Sequence, residues 1–229
     1  IAVDIWLPKD TAEDSRVLVA VEFTRYWRVG EGKNPMDRVL YFPKHGFASA
    51  VVDCRGSGAS FGVREAEQSV AEVKDFAAVI NWLAKQPWSN GAVVSVGSSY
   101  SGNTAEFAMI DAPLALKASI PRFSDFDTYA HLLFPGGLLN KTFIRPWSDG
   151  VYALDMNHVD DSIHPQWDDY RHGSVKALEK DIDKILLKQA IADHQENLPL
   201  SKYMASIEYR DDFHFANGLD QNGDRWVSP

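Results

Sequence analysis

The segment from Ala92 to Gly102, Ala-Val-Val-Ser-Val-Gly-Ser-Ser-Tyr-Ser-Gly, constrains the fold of this chain more than any other. Its apolar run is typical of a buried strand, and the small and polar residues that follow predict a tight turn into a helix. A serine on such a turn is held above the edge of the sheet, with its hydroxyl exposed and a helix N-terminus behind it. The segment therefore predicts either a nucleophile elbow or a simple Gly/Ser turn between a strand and a helix.

Three serines lie on this turn, and steric crowding distinguishes them. The residues two before and two after the serine of an elbow come close together, so both must be small. Ser99 satisfies this rule with Gly97 and Ser101. Ser98 would instead bring the branched Val96 against the turn, and the third serine would have an asparagine on its far side. We therefore predict that Ser99 is the serine of the elbow.

The composition excludes several classes of protein. A chain of 229 residues with 45% hydrophobic residues is large enough for one domain, or a domain with a sizeable insertion, around its own core. The formal charge of −9, without a polybasic cluster, argues against nucleic acid or an anionic membrane as a partner. The single cysteine rules out an internal disulfide and a cysteine-based zinc site. The compartment stays open between cytoplasmic and secreted or periplasmic.

Strand and helix patterns alternate along the first part of the chain. Helices are predicted over 36–45 and 102–110, and apolar residues at three- and four-residue spacing predict another over 68–86. Such alternation argues for right-handed crossovers and a mostly parallel sheet with helices on both faces. Five strands are predicted, over 1–7, 16–23, 47–53, 92–98 and 116–121. The last three are predicted to be buried.

The pattern changes beyond residue 138. Trp, His and Asp are scattered among Pro and Gly, and the one long periodic segment, 174–196, predicts one or two helices. No strand and helix alternation returns. We therefore predict an α/β part over 1–138 and a helical cap or lid over 139–229, inserted above the edge of the sheet.

Four motifs in the α/β part together resemble the X-prolyl dipeptidyl aminopeptidase and cocaine esterase (CocE/NonD) family of α/β-hydrolases. The family's elbow reads Gly-x-Ser-Tyr-x-Gly, so Gly102 is its matching glycine. The resemblance extends more loosely to the His-Pro element at 164–170. It implies the α/β-hydrolase fold with a helical cap. The four motifs are Thr24-Arg25-Tyr26, the Asp53–Gly62 loop (Asp-Cys-Arg-Gly-Ser-Gly-Ala-Ser-Phe-Gly), Gln86-Pro87-Trp88-Ser89-Asn90-Gly91 and Gly97-Ser98-Ser99-Tyr100-Ser101-Gly102.

The resemblance also implies a mechanism. Ser99 would attack an ester or amide carbonyl and form an acyl-enzyme that water hydrolyses. The oxyanion would be bound by the backbone N–H of Tyr100 and the hydroxyl of Tyr26. Without the family match, an alternative is that Tyr26 is an aromatic residue packed at a sheet edge. Arg25 precedes Tyr26 where the family usually has proline.

The family places its catalytic Asp and His beyond the cap, so we expect both outside these 229 residues, and expect the chain to be the N-terminal part of a longer hydrolase. The rest of that chain, or a second subunit, would complete the sheet. The expected partner is a small-molecule or peptide substrate, with no cofactor and no metal. The rival interpretation is a non-catalytic α/β-hydrolase-like binding protein. The histidines after Ser99, none of which follows a recognisable late strand, are His131, His158, His164, His172, His194 and His214.

Other charged residues are interpreted as structural. Asp53 and Arg55 are predicted to tie loops together through an ion pair. The His and Asp residues within 158–164 have metal-ligand chemistry but no ordered helical spacing, so they are predicted to form a solvated surface. The charged run at 210–214 is also predicted to lie on the surface.

Overall fold

Five strands form one sheet in the computed structural model, which describes residues 1–9, 15–34, 36–111, 113–204 and 207. Their spatial order is β1-β3-β2-β4-β5. β1 runs antiparallel to β3, and the other neighbours are parallel, which confirms the predicted mostly parallel sheet. The strands are β1 (Val3–Trp6), β2 (Val17–Thr24), β3 (Ala48–Asp53), β4 (Ser89–Ser98) and β5 (Leu116–Arg122).

Six α-helices accompany the sheet within the described residues, and the first three match their predicted positions to within about three residues, an ordinary uncertainty for helix ends. None of the helices in the described part of the chain is long and apolar enough to cross a membrane. The helices are α1 (Asp37–Lys44), α2 (Val70–Ala84), α3 (Tyr100–Phe107), α4 (Lys141–Asp155), α5 (Ile185–His194) and α6 (Leu200–Met204).

The core lies around the central strands. β3 is buried at every residue and β2 is buried from Val19 onwards. Because successive side chains of a strand point to opposite faces, both faces of these strands are covered. Ser69 caps the start of α2 by accepting the N–H of Glu72 with its side chain, and the helix buries Phe76 and Ile80 in this core. The spacing of the apolar residues therefore predicts the buried face of α2 correctly.

Strand β5 differs from its prediction as a buried strand. Most of its residues are exposed, including Ile120 at 51% of its surface. Within the described residues β5 pairs with β4 on one side and is an edge strand of the sheet. Burial of a strand depends on its neighbours as well as on its own apolar residues, so the apolar pattern alone gave the wrong environment.

The segment 174–196 is helical only at its C-terminal end, in α5. At its start, Val175 forms an antiparallel bridge with Gly30, and the N–H of Glu31 donates to the carbonyl of Ser174 at 2.7 Å. This pairing with a distant loop replaces the first of the predicted helical turns. The predicted surface run at 210–214 lies outside the described residues.

The predicted ion pair between Asp53 and Arg55 is wrong. Asp53 is fully buried and binds Arg28, with Nη1 to Oδ2 at 2.8 Å, and it also accepts the N–H groups of Arg28 and Ala59. Arg55 pairs instead with Asp75 of α2 at 2.8 Å. Asp53 ends β3 beside the end of β2, so the loop after β2 supplies the nearest arginine. Both residues form ion pairs, as the sequence predicted, but each pairs with a different residue from the one predicted.

A buried ionic network joins the helical segment, which we define as residues 139–204, to the loops of the sheet. Arg25 is fully buried and contacts Glu67 and Asp155, the latter at 3.1 Å. Arg64 is also buried and contacts the same two carboxylates. Asp155 is the last residue of α4, whereas the other three side chains belong to loops of the sheet. Two positive and two negative charges thus balance one another away from solvent.

Removing one member of this network is expected to destabilise the protein strongly. Arg25→Met should lower the free energy of unfolding by about 3–5 kcal/mol, because Glu67 and Asp155 would lose a buried cation. The control is Lys184→Met, which breaks the exposed pair between Lys184 and Glu31. This control should leave the free energy of unfolding almost unchanged, because solvent screens an exposed pair. Urea unfolding of the two variants would measure the difference, and equal losses would contradict the network's importance.

Candidate active site

Ser99 lies on a strained and exposed turn. It stands between β4 and α3 with φ +60° and ψ −128°. A residue with a side chain rarely adopts a positive φ, and such a conformation persists only where the surrounding structure imposes it. Ser99 is nevertheless exposed while its neighbour Tyr100 is buried. The turn therefore presents a serine hydroxyl at the end of β4.

The crowding expected of an elbow is present at this turn. A Cβ atom on Gly97 would lie 1.9 Å from the carbonyl oxygen of Ser101, so no larger residue fits two positions before Ser99. A Cβ atom on Gly102 would lie 2.2 Å from the carbonyl oxygen of Arg122 in β5. Gly97 therefore closes the turn, and Gly102 lets α3 approach the neighbouring strand.

The start of α3 places backbone donors beside Ser99. Tyr100 is the first residue of α3, so its N–H has no acceptor within the helix and lies at the positive end of the helix dipole. The N–H of Ser99 itself donates to the carbonyl of Arg122 at 3.0 Å, and the Ser99 carbonyl accepts the N–H of Gly102 at 2.7 Å. These bonds fix the backbone on both sides of the Tyr100 amide.

The side chain of Tyr100 is anchored to helix α2. Its hydroxyl donates to Glu72 Oε1 at 2.7 Å, and Glu72 Oε2 accepts the N–H of Gln68 at 2.9 Å. Burial raises the pKa of the Tyr100 hydroxyl well above its ordinary value and also raises the pKa of Glu72, although the bond from Tyr100 opposes the second shift. The phenol stays protonated, and the anchor holds the backbone of Tyr100 in place.

Tyr26 lies next to Ser99 and Tyr100. Its ring centroid is 6.0 Å from that of Tyr100 in an edge-on arrangement, and its hydroxyl oxygen accepts the indole N–H of Trp147 at 3.1 Å. Burial raises the pKa of the Tyr26 hydroxyl, while the hydrogen bond from Trp147, the charge of Arg25 and the neighbouring Ser99 lower it. The structure therefore places Ser99, Tyr26 and Tyr100 together at the end of β2 and β4.

The loop that carries Tyr26 is held by its neighbours in the chain. The N–H of Tyr26 donates to Thr24 Oγ1 at 3.0 Å, and the indole of Trp27 donates to the carbonyl of Leu154 in α4 at 3.1 Å. The guanidinium of the buried Arg25 lies 5.1 Å from the ring centroid of Trp147, within cation–π distance. Arg25 thus fixes this loop at the position where the family usually has proline.

The described histidines after Ser99 lie elsewhere. His194 is fully buried, and its two ring nitrogens contact the carbonyl oxygens of Asp155 and Ser60 at 2.9 and 2.7 Å. The other described histidines beyond Ser99 are exposed or half-exposed, and no hydrogen bond joins them to Ser99 within the described part of the chain. His158 and His164 lie on the surface, as predicted. Among the described residues, no cluster of three or more His, Cys, Asp or Glu side chains could hold a metal ion.

Sequence reasoning missed Trp147, Glu72 and the network around Asp155. Glu72 carries a signal, because Ser69 and Glu72 have the spacing of a capping box. Trp147 and Asp155 carry none, since their partners lie 121 and 130 residues away in the chain.

The chain matches known proteins along nearly its whole length. The model of the X-Pro dipeptidyl-peptidase (S15) family matches residues 1–228. A protein of Mycobacterium bovis with the name "Putative serine esterase" is 32% identical, and the match covers 93% of this chain and 36% of that protein. The chain therefore spans about a third of the length of this curated relative.

Two solved structures share the fold. A CocE/NonD family hydrolase from Staphylococcus aureus superposes with a TM-score of 0.66 at 23% identity, covering 92% of this chain and 34% of that one. An α-amino acid ester hydrolase superposes with a TM-score of 0.53 at 20% identity, covering 92% and 36% of the two chains. At these identities the likeness concerns the fold. The chain has the α/β-hydrolase fold and belongs to the X-Pro dipeptidyl-peptidase (S15) family.

Proposed function

We propose that this protein is a serine hydrolase that cleaves an ester or amide by acyl transfer, with Ser99 as the nucleophile. The observation that carries the proposal is the strained, exposed turn at Ser99, bordered by the hydroxyl of Tyr26 and the first backbone amide of α3. Membership of the S15 family and the esterase name of the Mycobacterium bovis relative support the same chemistry.

In the proposed mechanism, Ser99 Oγ attacks the substrate carbonyl and the resulting oxyanion accepts hydrogen bonds from the Tyr100 N–H and the Tyr26 hydroxyl. Collapse of this intermediate expels an alcohol or amine and leaves an acyl ester on Ser99. Water then attacks the ester through a second oxyanion, and Ser99 is regenerated. The base and its carboxylate partner follow the serine in the chain order of this fold, and we propose that they lie outside the described residues.

The substrate is proposed to be a small ester or a peptide. The relative's name supports an ester, and the family description supports cleavage of an X-Pro peptide, which uses the same acyl-transfer steps. A non-catalytic binding protein is less well supported, because nothing in binding alone requires a serine to be held at a strained φ.

We also propose that further chain, either more of the same polypeptide or a second subunit, covers the outer side of β5 and supplies the missing catalytic groups. Large apolar side chains around this edge are strongly exposed, with Leu114 at 91% and Phe123 at 81%. An exposed strand edge beside apolar side chains is a typical site of pairing with another segment.

Substitution of Ser99 tests the nucleophile. Ser99→Ala in the complete natural protein should reduce hydrolysis of a p-nitrophenyl acyl ester by about 10⁴-fold or more and abolish labelling by a fluorophosphonate, because the acyl-enzyme cannot form. The control is Ser98→Ala, which removes the adjacent hydroxyl and should leave both signals within about twofold, since Ser98 lies off the proposed reaction path. Unchanged turnover in Ser99→Ala would refute the assignment.

Substitution of Tyr26 tests the oxyanion donor. Tyr26→Phe should lower kcat by about a hundredfold or more, as expected for loss of one oxyanion donor, with little change in melting temperature. The control is Tyr170→Phe, which removes the hydroxyl of a half-buried tyrosine that packs against Trp27 and Trp167. Tyr170 has no proposed role in the reaction, so this variant should keep the wild-type kcat. Full activity of Tyr26→Phe together with a lowered melting temperature would show that Tyr26 is structural.

A further inference from the structure

The hydrogen bond between Trp147 and Tyr26 has a defined direction. The indole Nε1–H can only donate, so the Tyr26 oxygen is the acceptor across the 3.1 Å between them. The proton of the Tyr26 hydroxyl is therefore left for a different acceptor. The hydroxyl lies near Ser99, which lowers the pKa of Tyr26 against the larger effect of burial, and the proposed reaction takes place on the side chain of Ser99.

Several contacts hold the indole of Trp147 in this position. Its ring stacks with Phe143, one helical turn earlier in α4, at a centroid distance of 6.2 Å, and with Tyr100 at 6.4 Å. The guanidinium of Arg25, fixed by the buried ionic network, lies 5.1 Å from the Trp147 ring centroid. The indole is thus packed against a neighbour in its own helix, the first residue of α3 and an arginine of the loop after β2.

We propose that Trp147 is a positioning residue that binds the Tyr26 oxygen and directs the hydroxyl proton of Tyr26 towards the oxyanion that forms at Ser99. This inference rests on the proposed function. A phenolic hydroxyl can rotate between acceptors, and a donor bound to its oxygen favours the orientation in which its proton points elsewhere. Such a donor also polarises the O–H group, which strengthens the bond that the hydroxyl donates.

The charge of Arg25 also makes the Tyr26 hydroxyl a stronger hydrogen-bond donor. Its positive charge lowers the pKa of the Tyr26 hydroxyl, against the larger effect of burial. A more acidic hydroxyl is a stronger hydrogen-bond donor to a developing oxyanion. Arg25 and Trp147 therefore both favour Tyr26 as a donor, one through its field and the other through direct contact.

Two other roles for Trp147 make different predictions. A wall of the substrate site would change KM more than kcat, and a packing residue would change the melting temperature without depending on the Tyr26 hydroxyl. A residue that acts through Tyr26 changes kcat only while that hydroxyl is present.

A double-mutant cycle in the complete natural protein separates these roles. Trp147→Phe should lower kcat for a p-nitrophenyl ester about five- to tenfold, the usual effect of one neutral hydrogen bond, with KM changed less than about twofold. In the Tyr26→Phe background, the same substitution should change kcat less than about twofold, because its target is already absent. If Trp147→Phe lowered kcat by the same factor in the wild-type and Tyr26→Phe backgrounds, the inference would be overturned.

Trp167→Phe is the matched control. Trp167 also packs against the Tyr26 ring, at a centroid distance of 5.9 Å, but its indole N–H donates to the carbonyl of Pro146. This variant should keep kcat within about twofold if the bond to the hydroxyl is what matters. A loss of kcat equal to that of Trp147→Phe would indicate general packing and overturn the inference.

If Trp147→Phe fails to fold, replacement of Trp147 by benzothienylalanine removes only the N–H group and should give the same fall in kcat and the same dependence on Tyr26. Wild-type kcat in this isosteric variant would overturn the inference. Failure of the proposed function has a different signature, since a wild-type protein that hydrolyses no ester and reacts with no fluorophosphonate refutes both proposals together. If the enzyme is active but Trp147→Phe lowers kcat by the same factor with and without the Tyr26 hydroxyl, only the role proposed for Trp147 is refuted.

Discussion

The buried ionic network around Asp155 is the interaction on which the arrangement of this site depends. A charge removed from water is costly unless it is paired and hydrogen-bonded, so Arg25, Arg64, Glu67 and Asp155 stabilise the fold only when all are in place. Asp155 ends α4, and the others come from loops at the edge of the sheet. The network therefore couples the position of α4 to that of the loop after β2, and both Trp147 and Tyr26 depend on this coupling.

The turn at Ser99 is constrained in a different way, by sterics that are local to β4, α3 and β5. Its positive φ costs about 1–3 kcal/mol, and bonds to the neighbouring strand offset that cost. The N–H of Ser99 donates to Arg122, and Gly102 packs against the same carbonyl. The elbow thus requires β5 beside it, but it does not require α4. One part of the site is fixed by the sheet and the other by the helical segment.

This division explains which features the sequence could predict. The elbow depends on the sizes of residues within a few positions of Ser99, so the small residues around it were sufficient. The partner of Asp53 depends on which strands are neighbours in the sheet, and the sequence does not show this directly. The prediction therefore paired Asp53 with Arg55, which is near in sequence, whereas the structure pairs it with Arg28. The proposed role of Tyr26 came from the resemblance to a family and not from a local pattern. The contact of Trp147 with Tyr26 joins residues 121 positions apart, and no local pattern encodes it.

Arg25 shows how the same rigidity can be achieved by different physical means. A proline restricts its own φ and stiffens a loop whatever surrounds it. Arg25 has no such intrinsic restriction, and its position is fixed by Glu67, Asp155 and the ring of Trp147.

The rigidity of the Tyr26 loop therefore depends on α4 being in place. Moving α4 away from the sheet would separate Asp155 from both arginines, at a cost of several kcal/mol. At α4, the helical segment predicted as a cap or lid is consequently held as a fixed wall of the candidate site.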